Sequence, residues 1–154
     1  MDGVQQKAYD SCMPIRVQLA DNHAILRQIL RTILENDPDL MVVAEASNGV
    51  EAVEMARQHQ PDVAVVDIDM GDLNGLEATA QILTHSPRTA VLILSMHADH
   101  RYVGRAVLAG ARGYLVKDAV EEKLVDSIRR ILEGKTFVCV HGREQPRIQP
   151  VSKD

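Results

Sequence analysis

Four short clusters carry the side chains with chemistry in them: Asp21-Asn22-His23, Asp67-Ile68-Asp69, Ser95 and Lys117. Carboxylates, a hydroxyl and an ammonium gathered in one place suit a divalent cation and a phosphoryl group. Two carboxylates about 4 Å apart repel by roughly 4 kcal/mol at an effective dielectric of 20, so a cation is the natural filler between them. Mg2+ accepts one or two carboxylates together with water and phosphate oxygens, which matches so sparse a ligand set; Mn2+ is the second candidate. Ser95 and Lys117 can then donate hydrogen bonds to an incoming phosphoryl oxygen.

These residues meet only if the chain around them brings them together. From residue 15 onward, short β-branched runs alternate with helix-period segments, the pattern of an α/β domain with a parallel sheet. Strands are predicted at 15–20, 41–46, 62–67, 90–95 and 112–116, and helices near 23–36, 49–59, 75–85, 99–109 and 120–133. Most of the strands are continuously apolar, as strands buried on both faces should be. Asn48, Asn74 and Asp118 each stand three residues before a Glu, a repeated helix-start signature. Connections after the strands are therefore short, and right-handed crossovers place helices on both faces of a doubly wound sheet. All four clusters fall at predicted carboxyl ends of strands, where such sheets bind ligands.

The first helix carries Ile25, Leu26, Ile29, Leu30, Ile33 and Leu34 as its apolar stripe. Beyond Gly134 the periodicity stops, so residues 135–154 read as a tail or linker, with Pro146 and Pro150 in polar surroundings. Residues 1–14 read as an N-terminal extension, and Met13 is a candidate start residue. That leaves 15–134 as the folded domain.

At 154 residues with 45% apolar content and a net charge of −5, the chain reads as one acidic globular domain. Residues 15–134 alone carry −6. Acidity and only four aromatic residues argue against direct nucleic-acid binding. No apolar run approaches the length of a membrane span, the start lacks a signal-peptide pattern, and Cys12 and Cys139 stand far apart, which together predict a cytoplasmic protein off the membrane.

The segments ADNH (20–23), DVAVVDIDMGDLNGLEA (62–78), LILSMH (92–97) and GARGYLVKD (110–118) resemble the receiver domain of two-component response regulators, in wording nearest the LuxR or NarL/FixJ branch. The resemblance spans about 15–134. It implies a flavodoxin-like (βα)5 fold of five strands in the order 2-1-3-4-5. It further implies that Asp67 is the phosphoacceptor, taking a phosphoryl group from the phosphohistidine of a sensor histidine kinase. Mg2+ would be held by Asp21 through water, by Asp67 and by the main-chain carbonyl of Asp69. Lys117 would pair with the phosphoryl oxygens, Ser95 would read the phosphate and Tyr114 would swing inward as the switch. The output would be a changed surface on helix 4, strand 5 and helix 5, open to homodimerisation, regulating transcription through a DNA-binding domain that the 20 tail residues cannot form. No enzyme activity is implied beyond self-phosphorylation and slow self-dephosphorylation.

The pattern departs from the family at Asn22, where a second carboxylate usually ligates the metal, so weak Mg2+ dependence is expected. Asp69 is a partial substitute that could recruit a cation or repel phosphate. Gly71 stands where Pro is frequent, predicting a looser loop. Two alternatives remain open: a pseudo-receiver that docks partners without being phosphorylated because of Asn22, and a haloacid-dehalogenase-like phosphatase with Asp67 as nucleophile and Asp69 as general acid. His97 and His100 have helical spacing but read as solvated surface, as does His23. Tyr102, Val103, Ala106 and Val107 are a candidate dimer surface on the fourth helix.

Overall fold

The structure, a computed structural model, describes residues 13–71, 73–97, 99–140 and 143–144. Strands β1 (Ile15–Ala20), β2 (Leu40–Ala46), β3 (Val63–Asp67), β4 (Ala90–Ser95) and β5 (Gly113–Val116) alternate with helices α1 (Ala24–Glu35), α2 (Gly49–His59), α3 (Gly75–His85), α4 (His100–Leu108) and α5 (Val120–Leu132). The strands pair in parallel in the order β2-β1-β3-β4-β5. Strand order reverses between β1 and β3, and that switch point opens at the carboxyl edge of the sheet.

Period-two alternation along the buried strands sorts the core into two layers. Val17, Leu19, Val63, Val65, Leu92, Leu94 and Leu115 pack against Leu30 and Leu34 of α1 and Leu124, Ile128 and Ile131 of α5. Ala64, Val66, Val91, Ile93 and Tyr114 pack against Ala52 and Ala56 of α2, Ala78 and Ile82 of α3 and Val103 and Ala106 of α4. The alanines let three helices share one face of a narrow sheet. Val103 and Ala106 are core residues, so they cannot form the dimer surface that the sequence suggested for them. In α1 the two apolar rows separate: Leu30 and Leu34 are buried, whereas Ile25 and Ile29 remain exposed.

The sheet does not stop at β5. Phe137–Val140 forms a sixth parallel strand, β6, paired with β5 through Gly113–Phe137, Tyr114–Val138 and Leu115–Cys139, and Arg143–Glu144 adds a short antiparallel β7. The tail reading of residues 135–154 is thereby corrected at 137–140. All four side chains of β6 are buried, Phe137 and Cys139 in one layer and Val138 and Val140 in the other. A four-residue apolar run gives no periodic signal, but an open β5 edge supplies it with partners. Cys12 and the proposed extension up to residue 12 lie outside the described residues, as do 145–154.

Two of the three predicted caps are present: Asn48 accepts from the Glu51 N–H, and Asn74 from the N–H groups of Leu76 and Glu77. Asp118 instead sits inside a 3-10 turn at Lys117–Ala119, which displaces the start of α5 to Val120. Asp99 caps α4, so His97 lies in the preceding loop and has no helical relation to His100. Among the described residues no helix is long and apolar enough to cross a membrane.

Candidate functional site

Sheet register brings the clusters together. Ala20 pairs with Val66, so Asp21 and Asp67 leave β1 and β3 side by side. Asp67 pairs with Leu94, just before Ser95, and Ser95 pairs with Val116, just before Lys117. The 3-10 turn then carries the Lys117 ammonium to 3.1 Å from Asp67 Oδ2 and 3.6 Å from Asp21 Oδ2, with its side chain 9% exposed. Asp21, Asp67 and Ser95 are fully buried. Gly75 permits this packing, because a Cβ there would stand 2.4 Å from the Asp67 carbonyl oxygen.

Burial pushes the Asp67 carboxyl above the ordinary carboxylate range, and the neighbouring Asp21 charge adds to that push. Opposing it, the Asp69 backbone N–H donates to Asp67 Oδ1 at 3.1 Å and Lys117 attracts the charged form. One oxygen of each aspartate, Asp21 Oδ2 and Asp67 Oδ2, is buried without a directed hydrogen bond, although both face the ammonium. Two buried anions sharing one ammonium leave the pocket negative, and that remaining charge is what a divalent cation would satisfy. The donor set therefore fits the cation that the sequence called for.

A third donor joins them. Asp21 Oδ1 accepts from the His23 backbone N–H at 2.7 Å and lies 3.2 Å from His23 Nδ1. Ligand atoms of Asp21, His23 and Asp67 all lie within 4.8 Å of one another. The side chain of His23 is 65% exposed, as its surface reading expects, and its position two residues after Asp21 brings Nδ1 to the rim of the pocket. Asn22 is exposed.

From Asp67 a chain of contacts runs to α4. The Ser95 hydroxyl oxygen accepts from the His97 N–H at 2.9 Å, and the buried Tyr114 hydroxyl donates to the His97 carbonyl at 2.6 Å. Burial pushes the Tyr114 phenol above its usual range, which keeps it a donor. The His97 ring stacks on Tyr102 at 4.3 Å, and its Nε2 lies 3.6 Å from Asp69 Oδ2. His97, with its side chain 41% exposed, is thus partly solvated and also a junction between the loop after Asp67, the end of β4 and α4.

A profile described as Response regulator receiver domain matches residues 17–129. The chain belongs to that family. Oxygen regulatory protein NreC of Staphylococcus carnosus is 38% identical over 126 residues, 80% of this chain and 58% of the relative. Transcriptional regulatory protein DegU of Brevibacillus brevis is 34% identical, over 80% of this chain and 52% of its own length. The chain thus spans little more than half of these curated relatives. Among solved structures, a LuxR-family two-component response regulator from Aurantimonas sp. SI85-9A1 superposes with TM-score 0.77 at 35% identity, covering 80% of this chain and 88% of that one. The receiver domain of a response regulator named NarL from Mycobacterium tuberculosis gives 0.76 at 30%, covering 80% and 99%. The protein is a receiver domain of the NarL/LuxR branch. Gly71 adopts φ +79°, a conformation open to glycine and closed to proline, so the turn after Asp67 depends on the residue present there.

Proposed function

We propose that this receiver is a phosphoacceptor switch in a two-component relay. An Asp67 carboxylate oxygen attacks the phosphorus of a kinase phosphohistidine, the P–N bond breaks, the imidazole departs with a proton, and an aspartyl phosphate remains. The observation that carries this reading is Asp67 itself: a fully buried carboxylate at the sheet mouth, 3.1 Å from the Lys117 ammonium. Phosphoryl transfer asks mainly for alignment and charge neutralisation, and Lys117 beside Asp67 supports this reading by supplying part of the second.

Lys117 takes one face of the phosphoryl oxygens, and the Ser95 hydrogen is available to another because its oxygen already accepts from His97. A divalent ion such as Mg2+ or Mn2+ on Asp21, Asp67 and the Asp69 carbonyl supplies the remaining neutralisation when bound. Drawing Ser95 toward the phosphate pulls on the His97 N–H, and with it Tyr114, Tyr102 and α4. The responding surface, and any homodimer it forms, comprises α4, β5 and α5 with β6 at its edge. The cellular role is cytoplasmic and regulatory, without enzymatic turnover beyond self-dephosphorylation. Docking without phosphorylation is the second reading, and Asn22 is the observation that favours it.

Intact mass after incubation with acetyl phosphate and millimolar Mg2+ or Mn2+ tests the proposal. One added phosphoryl group in the wild type, absent in Asp67→Ala, is the expected result. Modification of Asn22→Asp alone would replace it with the pseudo-receiver reading. Steady turnover of a generic phosphoester would instead favour a phosphatase.

A further inference from the structure

Asn22 removes a carboxylate from the metal pocket, yet the same loop returns a different donor to it. Asp21 Oδ1 holds the His23 N–H in a tight turn, and that turn folds the imidazole back to 3.2 Å from the same oxygen. His23 stands at the N-cap of α1 but makes no side-chain capping hydrogen bond, so the ring serves the pocket and not the helix. Its Nδ1 and the oxygens of Asp21 and Asp67 form a cluster within 4.8 Å. Ligands about 2.1 Å from one ion stand at most about 4.2 Å apart, so small side-chain rotations close the cluster on a cation. The second, independent sign of a ligand is Asp21 Oδ2, an oxygen without a hydrogen-bond partner on a fully buried carboxylate, with the Lys117 ammonium standing off at 3.6 Å.

We infer that His23 is a direct nitrogen ligand of this site and turns its preference from Mg2+ toward divalent transition ions such as Mn2+ and Co2+. Imidazole suits first-row transition metals, whereas Mg2+ takes oxygen ligands almost exclusively. Exchanging a carboxylate for a neutral imidazole also lowers the site's negative charge, which penalises a hard ion bound mainly by charge more than one that gains a nitrogen bond. With Lys117 present, two carboxylates and a dication sum to a net +1, still attractive to a phosphoryl group. The inference deepens the receiver reading and rests on it for the location of the metal.

Calorimetric titration of the full chain with Mg2+, Mn2+ and Co2+ is compared for wild type, His23→Ala, Asn22→Asp and Asp67→Asn, with circular dichroism confirming each fold. His23→Ala is expected to weaken Mn2+ and Co2+ by about tenfold or more while changing Mg2+ little. Asp67→Asn is expected to weaken all three, which locates the ions. A residue that only hydrogen-bonds a ligand can also cost about 10–100-fold, so affinity alone does not prove ligation. Electron spin echo modulation of bound Mn2+ decides: a coordinated-imidazole 14N coupling in the wild type, lost in His23→Ala, is the expected result. Absence of that coupling, or equal Mn2+ and Co2+ affinities in wild type and His23→Ala, overturns the inference. Failure of Asp67 to take phosphate with any ion would overturn the receiver reading instead, and the nitrogen coupling is read without phosphorylation.

Discussion

At the residue scale, Asp67, Asp21 and Lys117 form a triangle held against its own electrostatics. Lys117 is the charged group that both buried carboxylates face, so Lys117→Met should leave two uncompensated charges and destabilise the fold by about 3–5 kcal/mol. Asp67→Asn removes one of those charges, and the variant should be more stable than the wild type by about 1–2 kcal/mol, the usual gain where a functional site gives up its strain. In the double variant the Lys117→Met penalty should shrink, a coupling that urea unfolding of all four proteins measures. The pH dependence follows from the raised Asp67 pKa. The folded state holds its proton where the unfolded state has lost it, so this group's contribution falls as pH rises from the ordinary carboxylate range through the folded value. Wild type should lose stability relative to Asp67→Asn across that window, which thermal unfolding at stepped pH would show; parallel curves would contradict it.

At the scale of elements, the strands and helices were legible because their periods are unambiguous, and the misreadings have physical causes. Every strand from β1 to β5 lies within a residue of its expected bounds, since continuous β-branched runs can be buried only in such a sheet. The Asp118 cap failed because the 3-10 turn that brings Lys117 to the buried carboxylates occupies its place, so a tertiary contact overrode a local preference. β6 was missed because Phe137–Val140 is stable only against an edge that no local pattern reveals. Phe137 is buried against the α1 and α5 layer and lies under the Arg130 guanidinium, whose carbon stands 5.4 Å from its ring centroid. Phe137→Ala should therefore cost about 3–5 kcal/mol, as a core aromatic does, whereas a tail residue would cost almost nothing. The outward row of α1 makes the opposite point. Ile25 and Ile29 are 77% and 42% exposed on the helix that begins beside the pocket. An Ile25→Asp, Ile29→Asp variant should therefore keep its stability within about 0.5 kcal/mol, which urea unfolding checks; a loss of several kcal/mol would mean that this row is packed.

Across the whole molecule, the site is a property of sheet register, which is why its carboxylates and lysine could be read from strand ends while His23 and His97 could not. Those two act through loop turns: one is folded back by Asp21, the other is fixed by Ser95, Tyr114 and Tyr102 at once. His97 therefore joins the loop after Asp67 to α4, and Tyr114 joins that junction to β5, whose outer edge is covered by β6. Under the phosphoacceptor proposal, a signal entering at Asp67 would have a continuous packed route to the far edge of the sheet. Hydrogen exchange followed by mass spectrometry should show the β6 amides protected in the resting protein, because β6 is paired with β5 and buried on both faces. After phosphorylation, exchange should change in 96–108 and in 137–140 and remain constant in α1 and β2, which lie on the other side of the switch point. A change confined to the loops around Asp67 would mean that the junction at His97 does not transmit, and Tyr114→Phe, which removes the hydroxyl that holds its carbonyl, would then leave α4 exchange as it is in the wild type.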